Sequence, residues 1–323
     1  MKPLYLAILV GQGALVGSTF LLIKVLVDEI DPMLIVSGRL LMAGAALATA
    51  VLLLRLPLPE RPQTYVYLFL IGGLGLAFPF FLVTWAETRV DSGTASVLSA
   101  SMPLFTAAIA VWALNDERLT PNKVLGLVSG FLGVAVLSGG DFLQVGGSAL
   151  LADLAILFAS AVYAMVAVFT RIYLRDVHPM TMSVLVLVSG FVCSAPIAVA
   201  IDSPLSLGAL GPVEWTAFLM LGFGTAIANC AYYWLLSKVG AVKASMNTYI
   251  MPATGVFLGW AVLGEGLGWH TFVGLGAIAL GVALANEMLR PGAWRRTSGA
   301  GGTPVPAMSQ RLPAPAEPTT AGN

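Results

Sequence analysis

The residues of this chain able to do chemistry are polar hydrogen-bonding groups, nearly all uncharged, set at helical spacing inside long apolar runs. Thr225, Asn229, Tyr232 and Tyr233 form one stripe, and Asp153, Ser160 and Tyr163 a second. Gln12 and Thr19 form a third, and Ser245, Asn247, Thr248 and Tyr249 a fourth. Positions three and four apart share a helix face, so each stripe presents amides, hydroxyls and aromatic rings in one direction. Aromatic faces beside amides suit a small zwitterionic or aromatic-bearing metabolite. Taken singly, each group reads equally well as an interhelical hydrogen bond. Catalysis has no visible machinery: there is no His-Glu-x-x-His run and no pair of membrane aspartates, and His178 and His270 fall in different loops. A channel would show a filter-like glycine run or rings of one charge, and neither is present. A channel-like facilitator and an intramembrane enzyme are therefore the alternatives to a carrier.

Three further residues stand out by position. Pro103 and Pro252 lie near the middle of two apolar runs. A proline there cannot donate to the carbonyl four residues earlier, so the carbonyls of Ser99 and Thr248 lose their helical partners at bilayer depth. Such groups persist where protein, water or a ligand satisfies them, which predicts two hinged helices facing a central cavity. Arg39 falls about five residues into the second apolar run. A charge in lipid is costly and finds a partner; an ion pair with Asp28, Glu29 or Asp31 is the expected one, and attraction of an anionic solute the other reading. Lys24, at the end of the first run, is expected to snorkel to the interface. Glu87, Asp153 and Glu265 fall near run edges, where solvation is expected, so a dedicated proton relay is not anticipated.

The elements that must position these groups follow from composition. Of 323 residues, 58% are hydrophobic and 10% charged, with 16 basic and 16 acidic side chains. A soluble domain carries roughly 25% charged residues, so the solvent for most of this chain is lipid. The balanced charge excludes a nucleic-acid surface. Cys193 and Cys230 are too few and too apolar in setting for a disulfide framework or a metal cluster. Ten apolar runs are predicted as spans: 4–27, 34–54, 66–85, 93–114, 124–138, 149–170, 182–201, 215–236, 244–263 and 271–289. The first is too long for the apolar core of a signal peptide and is read as a span. With the N-terminus inside, the inner segments hold all but Lys24, Arg39 and Arg89 of the 16 basic residues, which by the positive-inside rule places both termini in the cytoplasm. The expected location is a bacterial plasma or inner membrane. Residues 290–323, rich in Gly, Pro, Ala, Ser and Thr, read as a disordered cytoplasmic tail. Gly13 with Gly17, Gly126 with Gly130 and Gly255 with Gly259 read as close-packing devices.

The two halves repeat. An offset of 147 lays Lys24 on Arg171 and Pro32 on Pro179. An offset of 149 lays Trp85 on Trp234, Ala95-Ser96 on Ala244-Ser245, Met102-Pro103 on Met251-Pro252 and Asp116 on Glu265, and one of 148 lays Gly126 on Gly274 and Gly133 on Gly281. Five helices per copy is odd, so the second copy enters the membrane from the opposite side, as in secondary transporters. The expected fold is all-α, ten transmembrane helices as two inverted five-helix repeats over 4–138 and 149–289.

With Lys24, Pro32, Arg39, Trp85, Gly93, Ala95, Ser96, Pro103, the Asp116-Glu117-Arg118-Leu119 turn, Gly126, Gly130 and Gly133, then Tyr233, Trp234, Pro252, Gly264-Glu265, Gly274 and Gly281, the chain resembles the drug/metabolite transporter superfamily with two EamA-type repeats. It departs from that pattern in carrying Val16-Gly17-Ser18 without the tryptophan often found ahead of that patch. It also lacks a basic residue after the second-half acid. The resemblance implies export or exchange of small metabolites such as amino acids by alternating access, with no bound cofactor. The expected partners are the lipid bilayer and a small-molecule substrate, and a homodimer is compatible with the sequence. The expected substrate cavity is Gln12, Thr19, Ser99, Ser160, Tyr163, Asn229, Tyr232, Tyr233, Asn247, Thr248 and Tyr249, with Pro103 and Pro252 as hinges.

Overall fold

The computed structural model describes residues 3–113, 121–137, 148–174, 176–202, 204–239, 247 and 250–285. Thr248, Tyr249, Ser245, the Asp116 to Leu119 turn and the tail from 290 lie outside the described residues. The helices are α1 (Pro3–Leu26), α2 (Pro32–Leu53), α3 (Pro62–Leu70), α4 (Phe78–Ala86), α5 (Ser92–Ser99), α6 (Met102–Ala113) and α7 (Pro121–Leu137). They continue as α8 (Ser148–Tyr173), α9 (Pro179–Ile201), α10 (Pro212–Val239), α11 (Ile250–Leu263) and α12 (Trp269–Ala285). There is no strand among the described residues, and the protein is an all-α membrane protein.

Local chemistry explains the boundaries. Six helices begin on a proline, Pro3, Pro32, Pro62, Pro121, Pro179 and Pro212, where the missing N–H would have had no helical partner. Asp31 caps α2 by accepting from the Met33 N–H at 2.7 Å. Large apolar side chains such as Leu52, Val66, Phe223, Ile227 and Phe257 are exposed. Exposed apolar surface of this extent suits a bilayer.

Two expected spans are not continuous α-helices. The third carries a π-helical stretch, Ile71–Ala77, between α3 and α4. Pro79 offers no N–H to the Gly75 carbonyl, and the Phe78 N–H reaches back five residues to Gly73 O, widening the turn. The fourth breaks outright: α5 ends at Ser99, Ala100 and Ser101 form a turn, and α6 starts at Met102 with Pro103 second. The Ala100 and Ser101 N–H groups bond three residues back, to Val97 O and Leu98 O. Pro103 thus sits at a helix restart rather than inside a kinked helix. Pro252 holds the corresponding place, in the first described turn of α11.

Counted over the described residues the helices make ten rods, with α3–α4 and α5–α6 as single broken rods. Their packing obeys exchange of the two halves. α2 packs on α9, α5 on α11 and α7 on α12, each rod against the one five places on. The α1–α10 contact is matched by α4–α8, and α1–α11 by α5 and α6 on α8. Each half therefore finds its principal partners in the other, and residues 1–287 form one compact unit. The glycine pairs lie at these crossings. A Cβ on Gly13 would stand 2.8 Å from the Asn247 carbonyl oxygen, and one on Gly281 would stand 2.6 Å from both Gly126 O and Gly130 N. Only glycine permits backbones that close.

Candidate functional site

The α2 cap at Asp31 places Arg39 two turns into the bundle, where it is 4% exposed. Its Nε and Nη2 donate to Thr225 Oγ1 of α10 at 3.2 and 2.9 Å, and its guanidinium lies 3.9 Å from the centroid of the Phe80 ring in α4. The Thr225 hydroxyl in turn donates a hydrogen bond to Leu221 O at 2.7 Å. The expected pairing of Arg39 with Asp28, Glu29 or Asp31 is not what the structure holds. Asp31 is committed to the helix cap, Asp28 and Glu29 are exposed, and Arg39 turns inward to a hydroxyl and a ring.

Arg39 opens onto a cavity of about 220 Å³ between the halves. Of the residues expected there, Gln12, Thr19, Ser99, Tyr163, Asn229, Tyr232, Tyr233 and Asn247 line it. The Gln12 and Asn247 amides join across the halves, Nδ2 to Oε1 at 2.6 Å. Asn229 Nδ2 donates to Thr225 O at 3.0 Å, and Tyr232 and Tyr233 stack edge to face at 5.4 Å. Ser160, 1% exposed, is packed in α8 and does not reach the cavity. Pro103 and Pro252 are buried and do not line it, although Ser99 and Met102, the two ends of the α5–α6 break, both do.

The sequence reading missed Phe80, Thr170 and the π-helical stretch, which contributes Ile71, Gly75 and Leu76 to the wall. Phe80 stands in an unbroken apolar run, and its role appears only once Arg39 is seen above it. The one available signal for the wide turn was Pro79 following three glycines.

The carboxylates are the larger correction. Glu265 is not simply solvated: its two carboxylate oxygens accept from the Ser92 and Gly93 N–H groups at 2.8 and 3.0 Å. These are the free donors that open α5, whose own N-cap, Asp91, makes no side-chain bond to them. Gly264 delivers the acid there, adopting φ +69° after the last residue of α11, a conformation that favours glycine. Glu87 has no exposure at all. Lys24, expected to snorkel, instead donates to the carbonyls of Glu87 and Val90 at 2.8 and 3.0 Å, closing the C-terminal end of α4. Ser92, Glu87 and Leu98 are fully buried beside these contacts. This end of the bundle is sealed, and the cavity lies between it and the α10 C-terminal turns that carry Tyr233 and Leu236.

Fold and site together define a class: a multi-pass all-α membrane protein whose two halves enclose a mostly apolar cavity set with a few polar groups. The chain belongs to the EamA-like transporter family, matching it over residues 3–139 and again over 150–286. It is 32% identical over 274 residues to the uncharacterized inner membrane transporter YedA of Escherichia coli K12, covering 83% of this chain and 86% of that protein. It is 27% identical over 269 residues to the uncharacterized transporter YoaV of Bacillus subtilis 168, covering 82% of this chain and 91% of that protein. A solved crystal structure shares the fold at a TM-score of 0.64 and 20% identity, over 88% of this chain and 98% of the other.

Proposed function

We propose that this transporter is a secondary carrier for a small organic solute bearing a carboxylate, of the amino-acid kind, working as an exporter or exchanger by alternating access. The observation that carries the reading is Arg39. It is the one charged residue among the described residues lining the cavity, and its partners are a neutral hydroxyl and an aromatic face. A buried cation without a counter-charge is an open binding position for an anion, and a guanidinium presents paired donors to a carboxylate. Phe80, Tyr163 and Val83 supply apolar wall for the rest of the solute. At about 220 Å³ the cavity is smaller than the roughly 300–1,000 Å³ typical of drug-sized pockets, which favours a compact ligand.

The two five-helix copies supply the mechanism. With the positive-inside orientation, the Lys24–Glu265 end faces outward and the cavity lies toward the cytoplasm. Exchange symmetry makes the mirror-image state, sealed at the other end, a packing of similar energy. The α5–α6 break at Ser99–Met102 and its counterpart at Pro252 are the joints about which the halves rock. Counterflow with purified full-length protein in proteoliposomes tests this, using radiolabelled amino acids, amines and nucleosides. Saturable uptake of amino acids, accelerated by the same amino acid inside, is expected. Unsaturable flux would indicate a pore, and uptake of amines in place of amino acids would remove Arg39 from the reading.

A further inference from the structure

Glu87 is used by nothing described so far. It stands one residue past the third span, Pro62–Ala86, with no exposure, and neither carboxylate oxygen has a hydrogen-bond partner. Its backbone carbonyl is engaged by Lys24 Nζ while the acid group itself is left bare. An ionised carboxylate buried without a partner is among the costliest arrangements in a protein, and such a group takes up a proton instead.

The charged groups around it come from every neighbouring element. α1 contributes Lys24, α2 Arg39, and the α11–α12 connection Glu265. The Tyr67–Phe169 and Phe78–Phe158 ring pairs run the α3–α4 rod antiparallel to α8. That register carries the Glu87 end of α4 toward the Asp153 end of α8, where Asp153 is 4% exposed; the other titratable groups of that helix, Tyr163, Arg171 and Tyr173, lie farther along it. Beyond Glu87 in its own chain come Arg89, which stacks outward on Trp85 at 4.1 Å, and Asp91. Burial pushes the Glu87 carboxyl well above the usual carboxylate range, Lys24 pulls it down, Glu265 pushes it up and Arg39 pulls it down.

We propose that Glu87 is a proton-binding site governing the sealed end of the carrier: it holds a proton while Lys24, Glu265 and α5 close that end, and releases it when the end opens. On opening, the carboxyl O–H bond breaks, the proton passes to water and the electron pair stays on the carboxylate; closing reverses the step. The proton is held more tightly in the closed state than in the open one. Acid therefore favours closure, and closure is lost as pH rises through the value set by the buried carboxyl. Arg39 packs on Phe80, two turns ahead of Glu87 along α4, and its charge favours the ionised form of Glu87; a carboxylate bound at Arg39 offsets that influence and tightens the proton, and by reciprocity the proton tightens the solute. The coupling rests on the carrier reading above; the proton site itself does not.

The test reads conformation without any substrate. Spin labels are placed at Thr88→Cys and Gly266→Cys, exposed positions in opposite halves at the sealed end, in full-length protein with Cys193→Ser and Cys230→Ser, and the distance is measured by double electron–electron resonance in nanodiscs. Between about pH 5 and about pH 9 the single short distance should give way to a longer one, the ratio changing by at most about tenfold per pH unit for one proton. Glu87→Gln should stay short throughout, and Glu87→Asp should restore a response with a displaced midpoint. A response that survives Glu87→Gln overturns the proposal, as does a wild-type distance indifferent to pH. So does a response lost in Asp153→Asn but kept in Glu87→Gln. Should the Gln variant fail to fold, an unchanged midpoint in Glu87→Asp overturns it. Counterflow separates the two readings: pH response without counterflow leaves the proton site standing and removes the carrier, and the converse removes only the proton site.

Discussion

Removing the Glu265 carboxylate should loosen the sealed end measurably. It makes two bonds, at 2.8 and 3.0 Å, to the first N–H groups of α5, and with Ser92 buried water can reach those groups only through the space that the removed side chain leaves. Bonds to a charged acceptor contribute about 1.5–3 kcal/mol each. Partial hydration of the vacated site lowers the expected cost of Glu265→Ala from that total to about 3 kcal/mol, or roughly 150-fold in equilibrium. Glu265→Gln keeps one neutral acceptor and should lose about 1.5 kcal/mol. For a chain of this length a kcal/mol displaces Tm by roughly 2 °C, so tryptophan-fluorescence melting of the full-length protein should fall by roughly 6 °C for Ala and half that for Gln. Asp91→Ala is the control: Asp91 is the local N-cap, yet its side chain makes no bond to the helix, and its loss should stay within about 0.5 kcal/mol. If Asp91→Ala costs more than Glu265→Ala, or if Glu265→Ala melts like wild type, α5 is capped locally and the cross-half contact does not hold the seal.

Three other outcomes are expected. Arg39→Gln should lower amino-acid counterflow at least about tenfold, from one lost charge-assisted contact, without lowering Tm, because it also relieves a buried charge that has no counter-ion; intact transport with a lowered Tm would make Arg39 purely structural. Gly281→Ala puts a Cβ 2.6 Å from backbone atoms of Gly126 and Gly130, and should cost about 1–3 kcal/mol by overpacking, read as a lower Tm; a neutral result would mean α7 and α12 separate freely. Pro103→Ala restores the N–H missing at the α5–α6 break and should slow counterflow while leaving the melting profile in place. Unchanged rates in it and in Pro252→Ala would remove the joints from the mechanism.

Much of the architecture is legible in the chain because it is local. Apolar runs, prolines at helix starts and glycines four apart each act through their immediate neighbours, so the rods and the crossing points can be placed without coordinates. The cavity stripes on α1 and α10 were readable for the same reason, since helical spacing alone decides which side chains share a face; of the α8 stripe only Tyr163 reaches the cavity. The α5–α6 break was foreshadowed by Pro103, although its form, a turn and a restart, depends on Ala100 and Ser101 finding bonds three residues back.

What only the tertiary structure decided is which half supplies the partner. Arg39 meets a hydroxyl 186 positions away in preference to acids eight to eleven positions off in the chain, because the packing of α2 on α10 brings Thr225 to its guanidinium while Asp31 is spent on a cap. Glu265 reaches α5 across 173 residues, and that contact buries α5's first turn. Glu87 sits in the chain like any acid at the end of a span. Its burial arises where α1, α4, α8 and the α11–α12 connection converge, a surface that no single helix carries and no periodicity records.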